Sequence, residues 1–241
     1  MKALFCALAA FGLYTTCAQA DEQEATCSIP AATVTAVQSK LAAVVNLSDK
    51  NGGLFHPNLM WSAVVDRSGV LCSVLKTGDA WPGSRAIAIA KAETANDFSN
   101  SSLALSTAML YGPTQPGGSL YGLNNSNPFN PFFNKETTGG GEGTGVGRTP
   151  GGIITFGGGV ALYQNGQVIG GLGVSGDTSC ADHAIAFRMR KMAHLDGTPG
   201  GAGADNIQYY PVGATITSLN PGLFAQPHCG SGDLTPAQID N

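Results

Sequence analysis

The chain has 241 residues, 43% of them hydrophobic and only 12% charged, with a formal net charge of −4. High apolar content with little charge excludes the disordered class, and an acidic balance without a basic run excludes a nucleic-acid partner. Glycine, at 34 of 241 residues, stands at about twice the usual ~7% share without a G-X-Y period. Collagen is thereby excluded, and the placement of the glycines becomes the question.

Lys2 followed by the apolar run Ala3–Leu13 reads as a secretory signal, because a bilayer span takes ~20 residues. Ala18-Gln19-Ala20 fits the small-x-small cleavage rule, so residues 1–20 are the expected signal peptide and the mature chain starts near Asp21. No other stretch is long and apolar enough to span a membrane. The protein is expected to be exported, to the periplasm or the exterior.

Ser28-Ile29-Pro30 is a helix-start signature, and Val34, Val37, Leu41, Val44 and Val45 recur at helical spacing through Leu47. Met60–Val65 and Val70–Leu75 are predicted strands around the turn Asp66-Arg67-Ser68-Gly69. Pro82-Gly83-Ser84 opens a second helix, Arg85 to Phe98, whose many alanines let it lie close on a sheet. Within it Lys91 reads as a surface lysine, and Glu93 and Asp97 as a solvated i,i+4 pair. Residues 111–152 form a Gly/Pro/Asn-rich insertion, and long loops of this kind are commonly functional flaps. Its phenylalanines predict that part of it packs on something.

Val160–Tyr163, Asn165-Gly166 and Val168–Val174 make the clearest hairpin. On the returning strand Gly171 and Gly173 share a face with Ile169, which predicts close approach of another backbone or of a ligand. Asp177 or Thr178 caps a third helix to Leu195, stopped by Gly197, with Arg188, Arg190, Lys191 and His194 loading its C-terminal end. The tail 198–241 holds one predicted strand, Asn206–Val212. Hairpins alternating with helices predict an α+β fold, an antiparallel sheet of two hairpins with three packed helices, over residues 21–197.

Of six cysteines, Cys27, Cys72, Cys180 and Cys229 survive cleavage. An even number in an oxidising compartment favours disulfides. Three connectivities are open; Cys27–Cys72 with Cys180–Cys229 would tie each flanking segment to the core. The rival is a zinc set from Cys180, His183, His228 and Cys229, whose spacing matches no known zinc module.

Val64-Val65-Asp66-Arg67-Ser68-Gly69, Arg85 through Lys91-Ala92-Glu93-Thr94-Ala95, Gly157-Gly158-Gly159 through Gly170, and Gly173-Val174-Ser175-Gly176 with Asp182 together resemble the GlcG/HbpS haem-binding family, over about residues 29–196. The resemblance implies a profilin-like sheet, homo-oligomers and, in some members, haem or corrinoid-linked roles. The exported four-cysteine form looks like a distinct branch.

The candidate ligand site follows from two loop-to-helix joints. At Gly173-Val174-Ser175-Gly176, free amides at a helix N-terminus can hold a carboxylate. At Trp81-Pro82-Gly83-Ser84-Arg85, the guanidinium can pair with a carboxylate or haem propionate beside a flat indole wall, with Ser84 at the same turn. His183 is the candidate ligand of haem iron, and His56 a second one. No paired carboxylates or Ser-His-Asp order point to classical catalysis. The expectation is an exported haem-binding or haem-sensing protein. A small organic-acid (carboxylate) binding module is the alternative, and an enzyme acting on haem or a small oxygenated substrate a further one.

Overall fold

The structure, a computed structural model, describes residues 4–6, 17–19, 25–131, 145–214 and 220–241. Most of the segment read as a signal peptide lies outside the described residues, as does the middle of the 111–152 insertion with Phe132 and Phe133. Within the signal segment, β1 (Leu4–Cys6) pairs antiparallel with β2 (Cys17–Gln19) in a sheet of their own.

The domain is built on two hairpins. β3 (Trp61–Asp66) turns at Asp66–Gly69 into β4 (Leu71–Lys76), and β5 (Gly159–Gln164) turns at Asn165–Gly166 into β6 (Gln167–Ser175). Asn165 and Gly166 take φ of 52° and 73°, the left-handed pair that this tight turn requires. The hairpins join through β3 and β6 in the antiparallel order β4-β3-β6-β5. One face carries α3 (Pro82–Asp97). The other carries α1 (Ala31–Gln38), α2 (Leu41–Val44) and α4 (Ser179–Met192). A short α5 (Pro236–Asp240) closes the chain. The fold is the expected α+β sandwich.

Strand β6 sets this two-sidedness. Leu172 and Val174 enter the core beneath α1 and α4, while Gly171 and Gly173 face α3. A Cβ on Gly173 would stand 1.9 Å from the Ala88 carbonyl oxygen, and one on Gly171 2.1 Å from that of Ala92. The backbone that approaches these glycines is α3, whose alanines permit the contact. Phe129 of the insertion lies over Gly152 and Ala90, packing on the outside of α3.

Several expected boundaries move. The first helix divides at Ser39–Lys40, where the Lys40 N–H tightens to the Val37 carbonyl. Pro30, not Ser28, stands at its N-cap; the Ser28 N–H and hydroxyl bind the Asp66 carboxylate at 2.7 and 2.9 Å. Thr178 does cap α4, accepting the Ala181 N–H. Its stop is not Gly197: His194 takes a left-handed φ of 56°, and the Leu195 N–H reaches back to the Arg190 carbonyl. Residues 206–212 are no strand. Ile207 is a core anchor, Tyr209 stacks on His228 at 4.2 Å, and the Tyr210 hydroxyl donates to the Asn220 carbonyl, so this apolar run is loop anchors rather than one face.

Cys27–Cys72 and Cys180–Cys229 are both bonded, which removes the zinc reading. Of the three open connectivities this is the one that ties each flank to the core. Two disulfides belong to an oxidising compartment, and among the described residues no helix is long and apolar enough to cross a membrane.

Candidate functional site

The glycine joint after β6 is filled by the protein itself. Asp182, one turn into α4, accepts the Gly176 and Asp177 N–H groups at 3.1 and 3.0 Å, so the amides read as an anion site already hold a carboxylate. Ser175 is buried, Gly173 lies under α3, and a Cβ on Gly176 would meet the Leu59 carbonyl oxygen at 2.4 Å. Space for a carboxylate guest at Gly173, Ser175 and Gly176 is therefore absent.

His183 also departs from its expected role. It is completely buried, its Nε2 accepting the Ile207 N–H at 3.1 Å and lying 3.2 Å from Asn206 Oδ1. Burial pulls its pKa down to about 4, so the ring is neutral. The tail covers Nε2, and Nδ1 is buried without a hydrogen-bond partner among the described residues, so neither nitrogen is open to a haem iron. Arg85 is likewise inside, its guanidinium 5.8 Å from the Trp61 ring centroid. Ser84 stays half-buried in the first turn of α3.

In place of the open joint stands an ionic network that periodicity did not reveal. Lys91 is fully buried, and its Nζ lies 2.7 Å from Asp182 Oδ2 and donates to the Val174 carbonyl at 3.1 Å. Burial draws the lysine down and pushes Asp182 up to about 6, each against the pull of the other. Three donors on Asp182, the Lys91 ammonium and the Gly176 and Asp177 N–H groups, favour its charged form against burial. On α4, Arg190 forms a fork with buried Asp205 at 2.6 Å on each arm, and Arg188 grips Asp49, Asn51 and the carbonyls of Gln238 and Ile239. Glu93, expected in solvent, is buried as well. Asp97 remains exposed.

What the structure does gather at one end of the sheet is His56, Trp81 and the Gly176–Asp177 corner. The Asp177 carboxylate accepts the Leu54 and Phe55 N–H groups, both at 2.9 Å, and Pro57 packs on Gly53. These contacts fix a loop whose side chains face outward. Phe55 is 59% and Trp81 51% exposed, their ring centroids 5.9 Å apart and tilted by 52°. Leu54 and His56 beside them are also exposed. Behind Trp81, its carbonyl accepts the Trp61 Nε1–H at 2.9 Å, and Lys76 sits 5.1 Å from the Trp61 ring. The result is an apolar ledge of two inclined rings, with the exposed His56 next to Phe55 in the chain and Lys76 and Arg85 near the Trp61 ring behind Trp81. Such a ledge can stack a planar ligand and offer one nitrogen to a metal. Leu54 and Phe55 were missed; the signal was a run of large apolar residues placed in a loop, Leu54-Phe55-His56-Pro57 after two glycines.

The model of the family described as "Haem degrading protein HbpS-like" matches residues 57–190. The corrinoid adenosyltransferase PduO of Citrobacter freundii is 31% identical over 129 residues, covering 52% of this chain and 30% of PduO. The chain thus spans less than a third of that relative. An uncharacterised 15.0 kDa protein of the same organism is 32% identical over 124 residues, 52% of this chain and 68% of its own length. In fold, the crystal structure of Klebsiella pneumoniae ORFY, a DUF336 protein, matches with a TM-score of 0.50 at 24% identity, over 73% of this chain and 98% of ORFY.

Proposed function

Since the chain belongs to the HbpS-like family, whose description is haem degradation, we propose that it binds haem at the Phe55–His56–Trp81 ledge. The observation that carries this reading is the exposure of Phe55 and His56 on a loop pinned by Asp177, with the exposed Trp81 ring against Phe55. Isolated exposed apolar residues need no explanation, but a contiguous patch with a convergent polar group marks a binding surface.

The residues present fit the group at this place and not at the β6–α4 joint, where Asp182 already occupies the amides. Bound haem would supply the iron and its redox chemistry. His56 would hold the iron through a ring nitrogen. Trp81 would cover the porphyrin face and Phe55, inclined to it, would flank the ring, removing apolar area from water at roughly 25 cal/mol per Å². Asp177 orients the loop and touches no ligand. We also read the mature chain as exported, a reading supported by its two disulfides.

Titration of the purified protein with hemin, followed at the Soret band, tests the site. His56→Ala is expected to abolish the ligated band and Trp81→Ala to weaken binding about tenfold, or ~1.4 kcal/mol. His194→Ala, at the far end of α4, should match wild type. Metal-free protoporphyrin should retain the Trp81 dependence and lose the His56 dependence. Wild-type spectra in both variants would overturn the site.

A further inference from the structure

The two disulfides sit in opposite polar surroundings. At Cys27–Cys72 the nearest polar neighbours of the sulfurs are acceptors, the Ile29 and Val70 carbonyl oxygens at 3.6 and 3.4 Å. At Cys180–Cys229 they are donors. The Cys180 N–H, in the first turn of α4, points at Cys229 Sγ at 3.2 Å, and the Ser179 hydroxyl lies 3.3 Å from the same sulfur. Gln226 Nε2 stands 3.2 Å from Cys180 Sγ and 3.8 Å from Cys229 Sγ. That amide cannot turn its oxygen to the sulfurs, because Oε1 accepts the Gly157 N–H at 2.8 Å and the side chain is 1% exposed. Each disulfide also has one carboxylate within 4.8 Å, Asp66 or Asp233, so nearby acid charge does not distinguish them. Cys180 Sγ also faces the Pro227 carbonyl oxygen, but at 3.9 Å, beyond every donor at this disulfide, so the difference is donors as the nearest neighbours against carbonyls as the nearest neighbours.

Donors and a helix N-terminus stabilise thiolates, and stabilising the reduced form makes a disulfide easier to reduce. Carbonyl oxygens do the reverse. We infer that Cys180–Cys229 is a thiol–disulfide exchange centre that accepts two electrons from a dithiol, while Cys27–Cys72 is a structural bond. Cys229 is half-buried and Cys180 buried, which sets the order of steps. A thiolate of the dithiol attacks Cys229 Sγ; the new S–S bond forms as the Cys180–Cys229 bond breaks, and Cys180 leaves as a thiolate beside Gln226 Nε2. The dithiol's second thiolate then attacks its own sulfur in the mixed disulfide. Cys229 is expelled as a thiolate toward the Cys180 N–H and the Ser179 hydroxyl. The dithiol ends as a disulfide, its two protons released to solvent or taken up by the two cysteines. None of this depends on haem.

The test is equilibration of the full chain in dithiothreitol redox buffers, acid quenching, differential alkylation and mass spectrometry of both cysteine pairs. Cys180–Cys229 is expected to open at a reduced-to-oxidised ratio at least tenfold lower than Cys27–Cys72, equivalent to about 30 mV for a two-electron couple. Gln226→Leu and Ser179→Ala should each raise the ratio for Cys180–Cys229 at least threefold and leave Cys27–Cys72 in place. Simultaneous opening, earlier opening of Cys27–Cys72, or folded variants with unchanged ratios would overturn the assignment. The order in the wild-type chain decides alone if the variants do not fold.

Discussion

At Glu93 the chain buries a carboxyl with one oxygen, Oε1, unmatched among the described residues. Burial, with Asp97 and Asp66 nearby, raises its pKa to about 8, against the pull of the Gly151 N–H. The folded protein therefore holds this proton far more tightly than the unfolded chain does. The stabilisation is complete below the ordinary carboxyl value and is lost as pH rises toward 8, on the order of 3–5 kcal/mol in all. Glu93→Gln keeps the shape and removes the titration. Thermal melts from pH 5 to 9 should show the wild type falling relative to the variant, with the variant the more stable at pH 9; parallel curves would refute the buried acid. Neither this burial nor that of Lys91 was legible from spacing. Both residues lie on α3, where charged side chains read as solvated, and what covers them comes from distant sequence. The Asp66–Gly69 turn and the Gly151 region close over Glu93, and Asp182 meets Lys91.

At the scale of elements, the hairpins were legible, as were an alanine-rich helix able to lie close on a sheet and a close approach at the β6 glycines, because these rest on short-range rules; that the helix meets those glycines was not. Asn165-Gly166 dictates a turn, and alternating glycines on one strand face predict close approach of a backbone or a ligand, of which the structure shows the backbone of α3. Gly173→Ala is expected to destabilise by about 3 kcal/mol, the upper part of the overpacking range, since its Cβ would meet a helix carbonyl that cannot yield. Gly197→Ala, with nothing within 4 Å, should stay within about 0.5 kcal/mol. Urea unfolding of both variants checks the pair, and equal midpoints would exclude the close contact. The site was legible only in part. His56 and Trp81 carry exposed polar or apolar chemistry that a loop advertises, but Gly173–Gly176 offered two readings, a vacant anion nest or a nest for the chain's own Asp182. Residues 175–182 alone do not choose between them, because the choice depends on Lys91 arriving to share the carboxylate. The tail misled for a related reason: Ile207 and Tyr209 mimic a strand's alternation while each answers to a separate partner, His183 and His228.

Across the whole molecule, the flanking segments close the core rather than trailing from it. Asp49 beside Arg188 is held below the usual carboxylate range by that guanidinium, which also grips the carbonyls of α5. The 230–234 segment lies against Gly52 and Leu54, just before the ledge. Lys91 and Asp182 belong to helices on opposite faces of the sheet and meet around its end. A sandwich without such a fastening can lose one helical layer while the other persists, each fraying with its own opening energy. Here the rivet is expected to make the two layers open together. Lys91→Met strands Asp182 and should cost about 3–5 kcal/mol, and amide hydrogen exchange should show more than the loss of stability. In the native chain, the slowest amides of α3 and α4 should exchange through a common opening. In the variant their protection should separate, and identical protection in both would mean that the layers were never joined.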